Sequence, residues 1–274
     1  MKIVFSALVL LASLTISTSA AETNQVDELL RKTREALRER KRDEALRLAS
    51  QAVELGPTNF NALFLRGRIF AIHDKSREAI ADFDRALKFD PKAIGVYQER
   101  GTEHFRLGNI KESLADFDKF LELAPQQAAH HWQRGISLYY AGKYDEGRKQ
   151  FELHQTVNPN DVENAVWHYL CVAKLKGADI AKAALLPIQN DARVPMMEIY
   201  ALYAGKGSTD AVLQAAAKSN RDAHFYAHLY LALYHEAHKD AGKERAHIAK
   251  ATEEFAMKHY MGAVAHVHRK LRKL

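Results

Sequence analysis

Proline recurs in this chain at a fixed interval, and that interval restricts the fold more than any other feature of the sequence. Four prolines each lie 34 residues after the one before: Pro57, Pro91, Pro125 and Pro159. Three glycines keep the same interval, at Gly67, Gly101 and Gly135. A period of 34 residues is the length of one helix–turn–helix unit of a repeat protein. Stacked helix pairs of this kind usually hold other proteins and do not form a catalytic pocket.

Within each period, small and large residues recur at fixed positions. In the period from Phe60 to Ala93 they are Leu63, Gly67, Phe70, Ala79, Phe83, Ala86 and Pro91. The glycine lets the two helices of a unit approach closely, and the aromatic residue fills the space beside it. The proline follows a helix that it cannot continue. The pattern therefore predicts four helical hairpins in one phase.

These positions resemble the tetratricopeptide repeat (TPR) family. The resemblance implies an all-α fold, a TPR helix–turn–helix superhelix with additional C-terminal helices, with four repeats in residues 21–160. The period from Ile94 departs from the pattern at three positions, with His104, Ser113 and Phe120. The first period has Thr33 where glycine is expected, which is typical of a terminal capping repeat.

Beyond Pro159 the period fades, and residues 161–274 are predicted to hold a degenerate repeat and a C-terminal helical extension. The extension includes a late TPR-like unit from His224 to Thr252. The stretches RGISLYYAG and VWHYL resemble the NlpI family of bacterial lipoproteins in order and spacing. That resemblance implies a non-enzymatic adaptor of the cell envelope, with peptidoglycan hydrolases or an envelope protease as partners.

The N-terminus has the pattern of a secretory signal peptide. Met1 and Lys2 precede an apolar run from Ile3 to Leu14, and small residues follow up to Ala20. We predict a signal peptide over residues 1–20 and a periplasmic or secreted, soluble protein. Lipoproteins of the NlpI type need a cysteine after this segment, but residues 18–24 read TSAAETN. No later run is apolar enough for a transmembrane segment.

The sequence contains few candidates for chemistry. It has no Gly-rich phosphate loop and no GxSxG motif, and its single cysteine, Cys171, lies among apolar residues. We therefore predict that the chain is not an enzyme and needs no cofactor. A net charge of +6 without a reader motif does not favour nucleic acid as a partner. The alternative is a metal site among the histidines of the C-terminal helices, at His224, His228, His235 and His238.

The inner face of the array supplies the predicted partner-binding groove. In a TPR array, positions 2, 5, 9, 12 and 13 of each first helix point inward. Aromatic and Arg side chains in such a trough are typical binding hot spots. The predicted groove residues are Asn61, Phe64, Arg68, Gln98, Phe105, Arg106, Trp132, Tyr139 and Tyr140. The alternative is that Trp132, Tyr139 and Tyr140 are buried when the C-terminal helices fold against the array.

Two further hypotheses concern packing and assembly. Arg66, Arg100 and Arg134 each precede a repeat glycine, and Asp82, Asp116 and Gln150 lie 16 residues after them. We interpret these pairs as contacts that lock neighbouring helices, with ligand binding as the alternative. The rival to an adaptor is a structural homo-oligomer. A homodimer would then form through the C-terminal helices, because the first repeat is highly charged.

Overall fold

A computed structural model describes residues 23–274, and these residues are helical, without a β-strand. The predicted signal peptide lies outside the described residues. The helices are α1 (23–38), α2 (Arg42–Leu55), α3 (Phe60–Ile72), α4 (Ser76–Phe89), α5 (Ile94–Leu107), α6 (Ile110–Leu123), α7 (Trp132–Tyr140), α8 (Tyr144–Gln155), α9 (Val162–Lys176), α10 (Ala178–Ala183), α11 (Met196–Tyr203), α12 (Thr209–Ala217), α13 (Arg221–Ala237), α14 (Ala241–Thr252) and α15 (Tyr260–Arg272). A short 3₁₀ helix, Pro125–His130, precedes α7. The predicted all-α fold class is confirmed.

Each repeat proline stands just after the second helix of a unit. Pro57 follows Gly56, the C-terminal cap of α2, and Pro91 follows Asp90, the cap of α4. The following helix then starts from a capping side chain in two of the units. Asn59 accepts a hydrogen bond from the Ala62 amide, and Asp161 accepts one from Glu163. Because proline donates no amide and the cap replaces it as a partner, the chain ends one helix and begins the next here.

The turn inside each helical hairpin carries its own period of 34 residues. Arg40, Asp74, Gly108 and Gly142 all have a positive φ, between 59° and 76°. Glycine adopts this left-handed conformation without strain, whereas Arg and Asp adopt it at a cost. The backbone geometry is therefore conserved between units even where the sequence does not contain glycine.

The chain divides into two compact units, at Glu103 and His104. Unit 1 covers the described residues up to Glu103, where α3 packs against α2 and α4. A Cβ added to Gly67 would lie 2.6 Å from the Phe83 ring, which is fully buried. Such a distance is a clash, so only glycine allows this aromatic ring to pack between α3 and α4.

Unit 2 covers His104–Leu274 and repeats the same contact. A Cβ added to Gly135 would lie 2.6 Å from the Phe151 ring. One continuous core then runs through unit 2, and α9 lies within it, with nearly every residue from Val162 to Val172 buried. Cys171 is fully buried there and packs against Gly147, as its apolar neighbours in the sequence indicate.

The late TPR-like unit corresponds to the hairpin of α13 and α14, which form extensive contacts with each other. Ala232, Ile248 and Ala251, the small and large positions of that pattern, are fully buried. None of the helices in the part of the chain that the structure describes is both long enough and apolar enough to cross a membrane.

Candidate functional site

The predicted groove residues of unit 1 lie at its surface. Asn61 and Arg68 on α3 are exposed, and Phe64 on α3 and Gln98 on α5 are half-buried. The Phe64 ring lies 5.9 Å from Phe60 and 6.0 Å from Phe83. The surface therefore has an apolar floor with polar groups around it. We call these four residues, Asn61, Phe64, Arg68 and Gln98, the unit 1 face.

Arg68 is the main charged group of the unit 1 face. Its guanidinium lies 5.9 Å from the centre of the Phe64 ring, and its Nε lies 3.3 Å from Glu99 Oε1. About half of the Arg68 side chain, 53%, is exposed. An exposed ion pair of this kind contributes little to stability, so Arg68 can change partners at little cost.

The groove residues of unit 2 are placed differently, because α15 packs against them. Phe105 and Tyr139 are fully buried. Tyr260, the first residue of α15, stacks on Phe105 at 5.0 Å and meets Trp132 edge-on at 5.1 Å. Trp132, Tyr140 and Arg106 are half-buried. The side chains that the repeat positions direct inward therefore form the core between the repeats and the C-terminal helix.

A buried polar network fastens the same helices. The Tyr139 hydroxyl donates a hydrogen bond to Glu236 on α13. Lys174 Nζ and Arg272 Nε lie 2.9 Å and 2.7 Å from the other Glu236 oxygen. Burial alone would raise the pKa of Glu236, but the charges of His268, Arg272 and Lys174 outweigh burial and lower it to about 2. Glu236 is therefore ionised and balanced by the two cations that bond to it.

His268 provides a second link between α15 and the rest of unit 2. Its ring is fully buried, with Nδ1 at 3.2 Å from the Tyr140 hydroxyl and Nε2 at 3.0 Å from Glu244. Both ring nitrogens are thus used. Together with the Glu236 network, this link fixes α15 in one position against α7 and α13.

The predicted Arg pairs are present, and the structure adds partners that we did not predict. Arg66 forms two hydrogen bonds with Asp82, at 2.6 and 2.7 Å, and Arg134 bonds to Gln150 at 3.2 Å. In addition, Arg100 bonds to Asp84 and Arg134 to Asp118. Asp84 and Asp118 are themselves 34 residues apart, and each precedes its arginine by 16. The period alone could have indicated these pairs, which join successive helices.

The histidines of the C-terminal helices are mostly engaged with each other and with aromatic rings. His228 Nδ1 lies 2.9 Å from His247 Nδ1, and the His235 ring stacks on His247 at 5.5 Å. His224 stacks on Phe255, and His238 bonds to the Tyr234 carbonyl. Across residues 23–274, no three His, Cys, Asp or Glu side chains are grouped so as to hold a metal ion. Burial lowers the pKa of His228 and His247 to about 4.

Sequence analysis missed a cavity of about 350 Å³ in unit 2. Four large aromatic side chains line it, Trp132, Trp167, Tyr226 and Tyr260. Asp161, Glu163, Asn164 and Arg193 contribute polar groups to the same wall. The cavity combines one repeat helix, α9, with side chains from α7, α13, α15 and the segment between α10 and α11. Because these elements are far apart in sequence, no local pattern indicates the cavity.

Arg193 organises the polar wall of the cavity. Its guanidinium contacts Asp161 and Asp191 at 2.6 Å and Glu163 at 2.5 Å. The Tyr230 hydroxyl donates to the remaining oxygen of Glu163. Burial, with a smaller effect from Asp161, raises the pKa of Glu163 to about 7 despite the arginine. The wall thus holds three carboxyl groups against one guanidinium.

Comparisons with known proteins agree with this architecture. The tetratricopeptide repeat family model matches residues 30–94 and 99–161. A crystal structure of YrrB, whose description names a TPR protein with an unusual peptide-binding site, is 22% identical with a TM-score of 0.58, over 69% of this chain and 97% of that one. MamA from Desulfovibrio magneticus RS-1 is 16% identical with a TM-score of 0.54, over 58% and 90%.

A third solved structure extends the match along the chain. PilF from Pseudomonas aeruginosa is 14% identical with a TM-score of 0.50, over 90% of this chain and 99% of that one. At such identities, the solved structures show the fold alone. A comparison with curated proteins gives no match. The helical hairpins, the glycine–aromatic contacts and the family model agree, so residues 30–94 and 99–161 of this chain are tetratricopeptide repeats.

Proposed function

We propose that this chain is a non-enzymatic scaffold that binds a segment of a partner protein across the unit 1 face. The observation that carries the proposal is the surface position of Phe64 and Arg68, while Phe105 and Tyr139 are enclosed within unit 2. A half-buried ring with an arginine above it offers apolar contact and a charge-assisted hydrogen bond together. Asn61 and Gln98 add amide groups that recognise a peptide backbone.

The proposed partner is a protein or peptide of the bacterial cell envelope. The pattern of residues 1–20 motivates the location, and the likeness to the NlpI family motivates peptidoglycan hydrolases or an envelope protease as candidates. The peptide-binding site named in the description of YrrB, a TPR protein of similar fold, is consistent with peptide recognition. Within this proposal, Phe105, Trp132, Tyr139 and Tyr140 would contact a partner only after α15 moves away.

Affinity capture from envelope extract, with quantitative mass spectrometry, tests this function. Arg68→Glu inverts the charge of the unit 1 face at an exposed position and should reduce partner capture at least about tenfold. Phe64→Ala should have a similar effect through lost apolar contact. The matched control is Phe89→Ala, because Phe89 is an exposed ring on α4 in the same unit, with 49% of its surface accessible.

The outcomes separate the two faces. If Arg68→Glu and Phe89→Ala capture every partner as the wild type does, the unit 1 face is not the binding site. Capture that instead rises after deletion of residues 259–274 would assign binding to the side chains that α15 covers. Light scattering of the purified chain would test the rival homo-oligomer, since an adaptor needs no self-association.

A further inference from the structure

The cavity of unit 2 has the size and position of a small-molecule site and lies apart from the unit 1 face. Its volume of about 350 Å³ falls within the usual range for ligand pockets. Aromatic rings and converging polar groups line such sites in general. What the cavity can bind follows from the chemistry of its walls.

The aromatic walls favour a cation. Trp132 and Tyr260 meet edge-on at 5.1 Å, and Tyr226 stacks on His259 at 5.9 Å on the same cavity. The faces of tryptophan and tyrosine rings attract ammonium and guanidinium groups, and they do so more strongly where water is excluded. An apolar stem on the ligand would also be well placed against Ile136 and Met261, which line the cavity.

The charges around the cavity point the same way. Asp161, Asp191 and Glu163 surround the single guanidinium of Arg193, so at least one negative charge is uncompensated even when Glu163 holds a proton. Asp222 and Arg106 act on His259 with opposite signs. Burial lowers the pKa of His259, so its ring adds no positive charge at neutral pH.

Two polar atoms in the wall have no hydrogen-bond partner among residues 23–274. They are Asn164 Oδ1 and Trp167 Nε1, on residues that are only 3% and 2% exposed. The Asn164 amide nitrogen is already used, because it donates to Phe151 and Gln155. A buried acceptor or donor without a partner costs free energy. Asn164 and Trp167 lie three residues apart on α9 and therefore share one face, beside the cavity that both line.

From these observations, we infer that the cavity binds a small organic cation with an apolar stem, of the alkylammonium or guanidinium type found in basic side chains. The rings enclose the charged group and its stem, the uncompensated carboxylates attract it, and Asn164 Oδ1 accepts a hydrogen bond from it. The site goes beyond the scaffold function, and the unit 1 variants do not affect it.

Intrinsic fluorescence gives a direct measurement, because both tryptophans of the chain line this cavity. The probe is Nα-acetyl-lysine amide, titrated into the full-length protein. Nα-acetyl-norleucine amide, which has a comparable stem without the charge, is the matched control. We expect a saturable change with the lysine probe at roughly millimolar concentration or below, and at least about fivefold weaker binding of norleucine.

Variants of the cavity test the proposed contacts. Glu163→Gln should weaken binding of the lysine probe severalfold, whereas Glu146→Gln, at an exposed carboxyl on α8, should not. Tyr226→Phe should retain the affinity because the ring remains, and Tyr226→Leu should lose it. The Tyr226 pair also covers the case in which the Glu163 variant does not fold. A pentapeptide with one central lysine, compared with cadaverine, distinguishes a peptide source from a free amine.

The inference would be overturned by equal binding of the norleucine and lysine probes, since the cavity would then recognise only apolar groups. It would also be overturned by the absence of any fluorescence change with lysine, pentapeptide and cadaverine. Equal affinities of the Phe and Leu variants at Tyr226 would remove the role of the aromatic wall. Preference for the pentapeptide or for cadaverine supports the inference and identifies the source.

Discussion

The hydroxyl of Tyr139 donates a hydrogen bond to Glu236, which lies 97 residues later in the chain. This contact joins the first helix of a repeat, α7, to the late hairpin helix α13. Glu236 also holds Lys174 and Arg272, so one carboxylate connects α7, α9, α13 and α15. The contact explains why inward-directed side chains of unit 2 belong to the core of that unit.

Loss of the Glu236 carboxylate should destabilise unit 2 strongly. Glu236→Ala leaves Lys174 and Arg272 without their buried partner, which should cost about 3–5 kcal/mol of unfolding free energy. Tyr139→Phe removes only one hydrogen bond and should cost about 1–2 kcal/mol. Urea denaturation followed by tryptophan fluorescence measures both, because both tryptophans lie in unit 2. Additive effects in the double variant would mean that the two side chains are not coupled.

The packing of Gly135 against Phe151 predicts the effect of one added methyl group. Gly135→Ala places a Cβ 2.6 Å from the Phe151 ring, so the ring must move, at a cost of about 1–3 kcal/mol. Adding Phe151→Leu should recover part of the loss by providing space. The control is Gly242→Ala on α14, where the nearest atom would be 3.6 Å away. Equal effects of the two alanine variants would argue against a close helix crossing at Gly135.

The buried histidines predict acid sensitivity above pH 4. The pKa values of His228 and His247 are lowered to about 4 by burial, from 6.5. Because the unfolded chain binds these protons more readily, their contribution to stability is complete above pH 6.5 and is lost as the pH falls toward 4. Glu163 acts in the opposite direction, since its raised pKa favours the folded state at lower pH.

Urea midpoints at pH 7 and pH 5 measure this loss. We expect a lower midpoint at pH 5, because His131 also has a pKa lowered to about 4 by burial and adds to the histidine effect. His247→Gln should reduce the difference between the two midpoints. A wild-type midpoint that is equal or higher at pH 5 would show that these rings are not held neutral in the folded protein.

The thiol of Cys171 should be inert in the folded protein. Its side chain is fully buried, and burial raises the pKa of the thiol well above its usual range. Because the thiolate is the reactive form, iodoacetamide should label Cys171 only after opening of unit 2. The labelling rate in increasing urea, followed by mass spectrometry, should track the loss of tryptophan fluorescence. Rapid labelling in buffer alone would contradict the position of α9 in the core.

Contacts that fall within one period could be predicted from the sequence. Gly67 and Phe83, or Arg66 and Asp82, are 16 residues apart and meet inside one helical hairpin. The same spacing repeats through the array, and each repetition adds independent evidence for the contact. The left-handed turns at Arg40 and Asp74 escaped prediction because neither residue is a glycine, although their period was visible.

The sequence by itself determined the helical repeats, because their contacts are local and periodic. Only the tertiary structure decided which inward-facing side chains stay accessible. Phe64 and Phe105 occupy comparable inner-face positions, yet Phe64 lies at the surface of unit 1 and Phe105 is enclosed by Tyr140 and Tyr260. The difference arises from the docking of α15, which depends on contacts more than 100 residues apart in the chain, such as that between Tyr140 and His268. Such contacts have no period, so burial by a distant helix leaves no local pattern in the sequence.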